Sequence, residues 1–245
     1  MATDQKHSAL TLFNNPVLSD VKLNQVYDGN SRVYHAHKAI LCKESTYFMK
    51  AFTGNFQEAT DNTMELHDDD PDHFEFILKF IYTGCYDYEA VTQLANGDTI
   101  KRGLTPVQIY VIADKYDVRR LYEPAMKEIE TILKAEPRYD YVMLKAVIEE
   151  YYNSHGGGGS PLGLLISKVL LGHNHSFTET PDFENLLMRF SALGGDMALV
   201  YHRQGMFQTR PLVCRHCLLT IHVKGNIGVY FCGRCNLKNQ VKGRH

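Results

Sequence analysis

Four cysteines near the C-terminus carry the clearest chemistry in the chain. They form Cys214-Arg215-His216-Cys217 and Cys232-Gly233-Arg234-Cys235, two C-x2-C pairs separated by fourteen residues. This spacing is close to that of four-cysteine zinc sites. A C-x-x-C turn aims two sulfurs at one point, and two such turns complete a tetrahedron at Zn–S distances of about 2.3 Å. Four thiolates fill that tetrahedron and leave no position for water, so the expected Zn2+ is structural and not catalytic. Disulfides are disfavoured, because the N-terminus MATDQKHSAL lacks the design of a secretory signal and thiols stay reduced in the nucleus and cytoplasm, where the chain is expected. A thioredoxin-type redox pair would need a single C-x-x-C in a βαβ setting. An iron–sulfur cluster also takes four cysteines and stays open on the sequence, with zinc the preferred reading. His216 and His222 are read as surface residues. Cys42 and Cys85 stand alone in apolar settings and are read as buried structural thiols.

For the two knuckles to meet, the chain between them must double back. Leu218–Val223 is strand-like, Lys224-Gly225-Asn226 reads as a turn, and Ile227–Phe231 is strand-like again. The expectation is one hairpin with both knuckles at its base. Ahead of it, Ser160-Pro161 and Thr180-Pro181 are cap-then-proline starts for helices of about ten and about twenty residues. Gly156–Ser160 has the composition of a flexible linker, natural or of the kind engineered between domains. Tyr139–Tyr152 is helical by pattern, after a break at Pro137.

Charge divides the chain. Its 245 residues sum to −2, yet no acidic residue follows Asp196, where eight basic residues give +8. The first 196 residues hold 18 basic and 28 acidic side chains, or −10. Such asymmetry points to two functional parts, the basic one facing nucleic acid or an acidic protein. Arg215 and Arg234 also neutralise a four-thiolate zinc site, which carries −2. Nucleophile elbows, phosphate loops and dinucleotide fingerprints are absent from the sequence, so no enzyme is predicted. No apolar run reaches membrane-spanning length, and no membrane partner is expected. Asp68-Asp69-Asp70 precedes a helix start, where the helix dipole accounts for it.

The first part of the chain has its own order of elements. A hairpin over residues 20–35 turns at Asp28-Gly29-Asn30, and a short helix covers 36–43. Ser45 caps a second helix that runs to Phe52, with Gly54 at its end. Thr63–His67 reads as a strand. Asp70-Pro71 starts a helix whose Phe74, Ile77, Leu78 and Ile81 share one face. Residues 87–102 read as an irregular loop with a short strand. Thr105-Pro106-Val107-Gln108 reads as a capping box for a helix to about Tyr116, and another helix covers 121–134.

Within that order, Ser19-Asp20-Val21, Tyr34-His35-Ala36-His37-Lys38-Ala39-Ile40-Leu41, Ser45-x-Tyr47-Phe48, Phe52-Thr53-Gly54-x-Phe56-x-Glu58 and Phe80-Ile81-Tyr82-Thr83-Gly84 follow one another at suitable spacing. Together they resemble a BTB (POZ) domain of fungal type over roughly residues 15–135. The resemblance implies an α+β fold, a helical cluster flanked by a small sheet, and a non-catalytic scaffold that pairs with itself (homo-oligomer) or another BTB protein. It matches Asp20 and Lys38 to charged positions near the dimer interface of many members. An ordinary ion pair orienting the hairpin on the helix is an equal reading. Phe56 and Glu58 match a motif by which some members engage cullin ubiquitin-ligase scaffolds, so a substrate adaptor is the alternative function. The bland reading, a loop closing the second helix, is favoured for Phe56-Gln57-Glu58. The expected organisation is a BTB-like domain at 15–135, a helical extension at 136–203 with its glycine-rich linker at 156–160, and a zinc-ribbon-like segment at 204–245.

Overall fold

A computed structural model describes residues 12–54, 61–135, 141–154, 157–173, 175–207, 209–224 and 229–240. The chain forms two compact units, Met1–Gly156 and Gly157–His245. The fold is α+β in both.

In the first unit, β1 (Val21–Tyr27) pairs antiparallel with β2 (Asn30–Ala36) and parallel with β3 (Thr63–His67), giving the order β2-β1-β3. Asp28 and Gly29 close the hairpin at φ 47° and 75°. Two left-handed residues match the twist of the strands they join. Val21, Leu23 and Gln25 turn inward along β1, and the Gln25 amide donates to the Asp69 carbonyl.

Two short helices follow, α1 (Lys38–Glu44) and α2 (Thr46–Thr53). Ser45 fixes the second. Its Oγ accepts the Phe48 N–H at 3.1 Å and donates to the Tyr116 carbonyl at 2.6 Å. Gly54 ends α2 with extended backbone, not the left-handed turn that usually selects glycine there. The helix α3 (Pro71–Thr83) begins at the Asp70 carboxylate, which accepts the N–H groups of Asp72 and His73. Its expected apolar face is buried, and Phe76, Phe80 and Tyr82 are buried beside it. Each such side chain contributes about 1.5–3 kcal/mol. Gly84 closes α3 at φ 64°.

Residues 87–102 depart from the expected loop. Asp87 caps α4 (Tyr88–Leu94), and Asp98 caps α5 (Thr99–Lys115) by accepting from Ile100 and Lys101 at 2.8 and 3.0 Å. The short α4 buries mainly Val91, so its cap and not an apolar period carries it. Because Asp98 nucleates α5 early, Thr105-Pro106 lies inside the helix and does not open it. Proline there removes one intrahelical donor, a cost the buried face of α5 outweighs. A 3-10 turn (Arg119–Leu121) leads to α6 (Tyr122–Ala135), and α7 (Tyr141–Ser154) packs on α5. Gly103 permits that contact, since a Cβ there would lie 2.9 Å from the Met143 side chain and 3.3 Å from Val147.

The second unit opens with four helices, α8 (Pro161–His173), α9 (His175–Thr178), α10 (Pro181–Arg189) and α11 (Ser191–Arg203). The single long helix expected from Thr180 is two, divided at Phe190, whose buried ring and φ of −116° take the chain around a corner. The described part of the glycine run, Gly157–Ser160, is tied down. The Gly159 N–H donates to the buried Asp196 carboxylate, and Ser160 Oγ accepts the Gly163 N–H at 3.1 Å. Gly163 is required here, because any Cβ would collide with Asp196.

The C-terminal strands form two sheets of two strands each. β4 (Thr209–Val213) pairs with β5 (Thr220–Lys224), and β6 (Val229–Phe231) pairs with β7 (Lys238–Gln240). This corrects the expectation of one hairpin with both knuckles at its base. Each knuckle is itself the reversal of its own hairpin. The Cys214 N–H donates to Leu219 and the Leu218 N–H returns to Cys214, and the pairs Cys232–Leu237 and Asn236–Cys232 repeat the pattern. Leu218 and Asn236 take equivalent left-handed turns at φ 57° and 54°.

Candidate metal centre

The two hairpin tips bring four sulfurs together. The Sγ atoms of Cys214, Cys217, Cys232 and Cys235 all lie within 4.8 Å of one another. Cys214 and Cys235 are 3.6 Å apart, and Cys217 and Cys232 are 3.5 Å apart. A tetrahedron with metal–sulfur bonds of about 2.3 Å has edges of about 3.8 Å. The four thiols are free, with no disulfide among them. Cys214 and Cys232 are fully buried, Cys217 and Cys235 half-buried.

Main-chain donors surround these sulfurs. Cys214 receives the N–H groups of His216 and Cys217, and Cys232 those of Arg234 and Cys235. Cys217 receives the N–H of Leu219, and Cys235 that of Leu237. Such donors stabilise the thiolate, the form that binds metal. Burial opposes ionisation at Cys214, yet the N–H groups of Cys217 and His216 prevail and pull the thiol down to about 6. Cys232 is lowered too, by the N–H groups of Cys235 and Arg234. At Cys217 and Cys235 the N–H of Leu219 or Leu237 pulls the same way, but burial and the neighbouring sulfurs push both thiols up, Cys235 to about 12. Four sulfurs alone cannot all ionise cheaply. A dication removes that conflict, so the donor set can hold one metal ion.

Sequence reasoning named all four cysteines that the structure brings together. His216 and His222 are exposed, as expected. It missed the inward residues of the second hairpin, Tyr230 and Asn239, which oppose each other across β6 and β7 and are both buried. No spacing rule marks them. Cys42 and Cys85 are half-buried, not fully buried as expected, and Cys42 Sγ donates to the Phe48 carbonyl at 3.7 Å.

In the first unit, Asp20 and Lys38 meet through the main chain. The Asp20 carboxylate accepts the Lys38 N–H at 2.7 Å and so caps α1. Lys38 Nζ donates to the Asp61 carbonyl at 3.3 Å and lies over the Phe52 ring. Phe56 and Glu58 lie outside the described residues. Of the three aspartates, Asp70 caps α3, and Asp69 is buried, accepting from Lys115 Nζ at 3.0 Å and Tyr116 Oη at 2.5 Å.

The BTB/POZ domain model matches residues 10–133, half of the chain. The chain belongs to the BTB/POZ family. A BTB/POZ domain-containing protein of Arabidopsis thaliana is 28% identical over 116 residues, covering 47% of this chain and 13% of that protein. Human BTB/POZ domain-containing protein 6 is 30% identical over 125 residues, 51% of this chain and 21% of that one. Mouse TD and POZ domain-containing protein 4 is 38% identical over 73 residues, 30% and 19% of the two chains. Among solved structures, the BTB domain of zebrafish PATZ1 aligns over 51% of this chain and 93% of its own, at 23% identity and a TM-score of 0.35. The matched part is thus a small fraction of the curated relatives' length. A BTB/POZ domain is a protein–protein interaction fold whose members pair with themselves or with other BTB proteins. The cysteine centre lies outside the matched residues.

Proposed function

We propose that this protein is a non-catalytic oligomerisation scaffold with a structural zinc site in its second unit. The BTB unit pairs with a second copy or with another BTB protein, using the surface around Asp20 and Lys38. The zinc-bound hairpins and the acid-free segment after Asp196 engage nucleic acid or an acidic protein, in the nucleus or cytoplasm. The observation that carries the zinc reading is the closed set of four sulfurs, each also holding at least one main-chain N–H donor. Four thiolates saturate a tetrahedral ion and give it no open position for chemistry.

Two measurements on the full chain test this. Elemental analysis should find one zinc per chain; coloured, iron-rich protein would replace zinc with iron. Light scattering across micromolar concentrations should find a dimer or larger. A clean monomer from which no partner is recovered would remove the scaffold reading.

The second reading is a substrate adaptor for a cullin ligase. It rests on Phe56-Gln57-Glu58, and on α7, which extends the BTB unit by packing on α5. Co-purification with a cullin, compared with Phe56→Ala and Glu58→Lys, decides it. Failure of the wild-type chain to bind ends that reading.

A further inference from the structure

The donor pattern around the sulfurs is two-fold symmetric except at one place. Each first cysteine of a pair takes two main-chain N–H groups and each second cysteine takes one. Among the described residues, and apart from contacts between the sulfurs themselves, Cys214 alone takes a side-chain donor as well, Asn239 Nδ2 at 3.6 Å. Asn239 is 3% exposed. Its amide is fully used: Oδ1 accepts the Arg215 N–H at 3.0 Å, and Nδ2 also donates to the Leu237 carbonyl at 2.9 Å. That set fixes the amide orientation. A flipped amide would place its oxygen against a sulfur and a carbonyl, and its NH2 against an N–H.

We propose that Asn239 is a positioning residue of the metal centre. It joins the two hairpins by holding the first knuckle at Arg215, and it donates a hydrogen bond to the Cys214 thiolate. This rests on the metal reading above. Hydrogen bonds to a metal-bound thiolate drain its charge and orient it, and removing outer partners of this kind typically lowers metal affinity about 10–100-fold. Site completion therefore depends on β7, the last described strand. Tyr230, opposite Asn239, supplies an internal control. Its hydroxyl is buried and has no hydrogen-bond partner among the described residues, so it donates to none of the four sulfurs.

The decisive variant is Asn239→Asp. It keeps the shape and the acceptor for Arg215, and replaces the donor that faces Cys214 and Leu237 with a charged oxygen. Zinc affinity of the full chain, measured by chelator competition, should fall by about 10–100-fold. With Co2+ as the probe, the sulfur-to-metal charge-transfer band should move to lower energy, a change that loosened packing alone would not produce. Asn239→Ala removes the donor without adding charge, so it should shift the band in the same direction and separates loss of the hydrogen bond from the aspartate's repulsion. Tyr230→Phe should bind zinc within about twofold of wild type. Unchanged affinity and an unmoved band in both Asn239 variants would overturn the proposal. A wild-type chain that binds neither Zn2+ nor Co2+ would instead remove the metal reading beneath it, and the proposal with it.

Discussion

Replacing Cys232 with serine should unfold the C-terminal hairpins and leave the BTB unit intact. The reason is what the hairpins bury. Their buried cluster is Cys214, Tyr230 and Cys232, with Leu212, Leu219 and Ile221 only partly covered. Full burial of one tyrosine and partial burial of three aliphatic side chains supplies about 5 kcal/mol. A structural zinc ion supplies about 10–16 kcal/mol of apparent binding energy at neutral pH. A bound zinc ion would therefore stabilise the hairpins more than their apolar cluster does. Cys232 is fully buried, and its sulfur sits 3.5 Å from that of Cys217. A serine hydroxyl stays protonated and cannot replace a thiolate. Zinc content should therefore drop from one per chain to near zero. Amide exchange over residues 209–224 and 229–240 should lose its protection, while Val21–Thr83 keeps its own. Cys42→Ser, in the BTB unit, should change neither readout. Full protection of the hairpins in zinc-free Cys232→Ser protein would refute the reasoning, since the apolar cluster would then suffice.

Other perturbations probe the BTB unit. Ser45→Ala removes the α2 cap, about 1 kcal/mol, and takes a donor from the buried Tyr116 carbonyl, roughly a further 1–3 kcal/mol. Urea unfolding should show a loss of about 2–4 kcal/mol, and a loss below about 0.5 would contradict the double role given to its hydroxyl. Gly103→Val places a branched side chain against Met143 and Val147; exchange should rise across α7, with a cost of about 1–3 kcal/mol, and an unaltered α7 would mean that it does not rest on Gly103. Burial lowers the His73 pKa below its ordinary 6.5, against the opposing pull of Asp70 and Asp72. The folded state thus resists protonation that the unfolded chain accepts, so stability falls as pH drops below 6.5 towards the folded value. His73→Gln should flatten that part of the pH–stability curve, and an unchanged slope would place the acid sensitivity elsewhere.

Much of the fold could be read because its signals are local. Asp28-Gly29 as a turn, and Ser45 and Asp70-Pro71 as helix starts, act on residues within four positions of themselves, and each does so as its type predicts. The departures arise where a second local signal competes. Asp98 starts α5 before Thr105-Pro106 can, and Phe190 divides a run whose helical pattern continues through it. Gly156–Ser160 has a linker's composition and the boundary of the two units falls within it, yet Gly159 is held by Asp196, 37 positions beyond.

The metal centre divides along the same line. A C-x-x-C knuckle is a complete local device, with turn, thiolates and main-chain donors all inside about six residues, so its spacing reveals it. The way the knuckles are joined is not local. Leu218–Val223 and Ile227–Phe231 read equally well as partners of each other, yet β5 pairs with β4 and β6 with β7. Once each knuckle turns its own hairpin, something must fix one hairpin against the other besides the ion. Asn239 does so across 24 positions from Arg215 and 25 from Cys214. By type it is no different from Asn236, three residues earlier, which is exposed and only turns the chain. What separates the two is a strand register that places one amide against a sulfur and leaves the other in solvent. The four cysteines of such a cluster are therefore legible from sequence, while the amide that links the two hairpins beside them becomes visible only when both hairpins are in view.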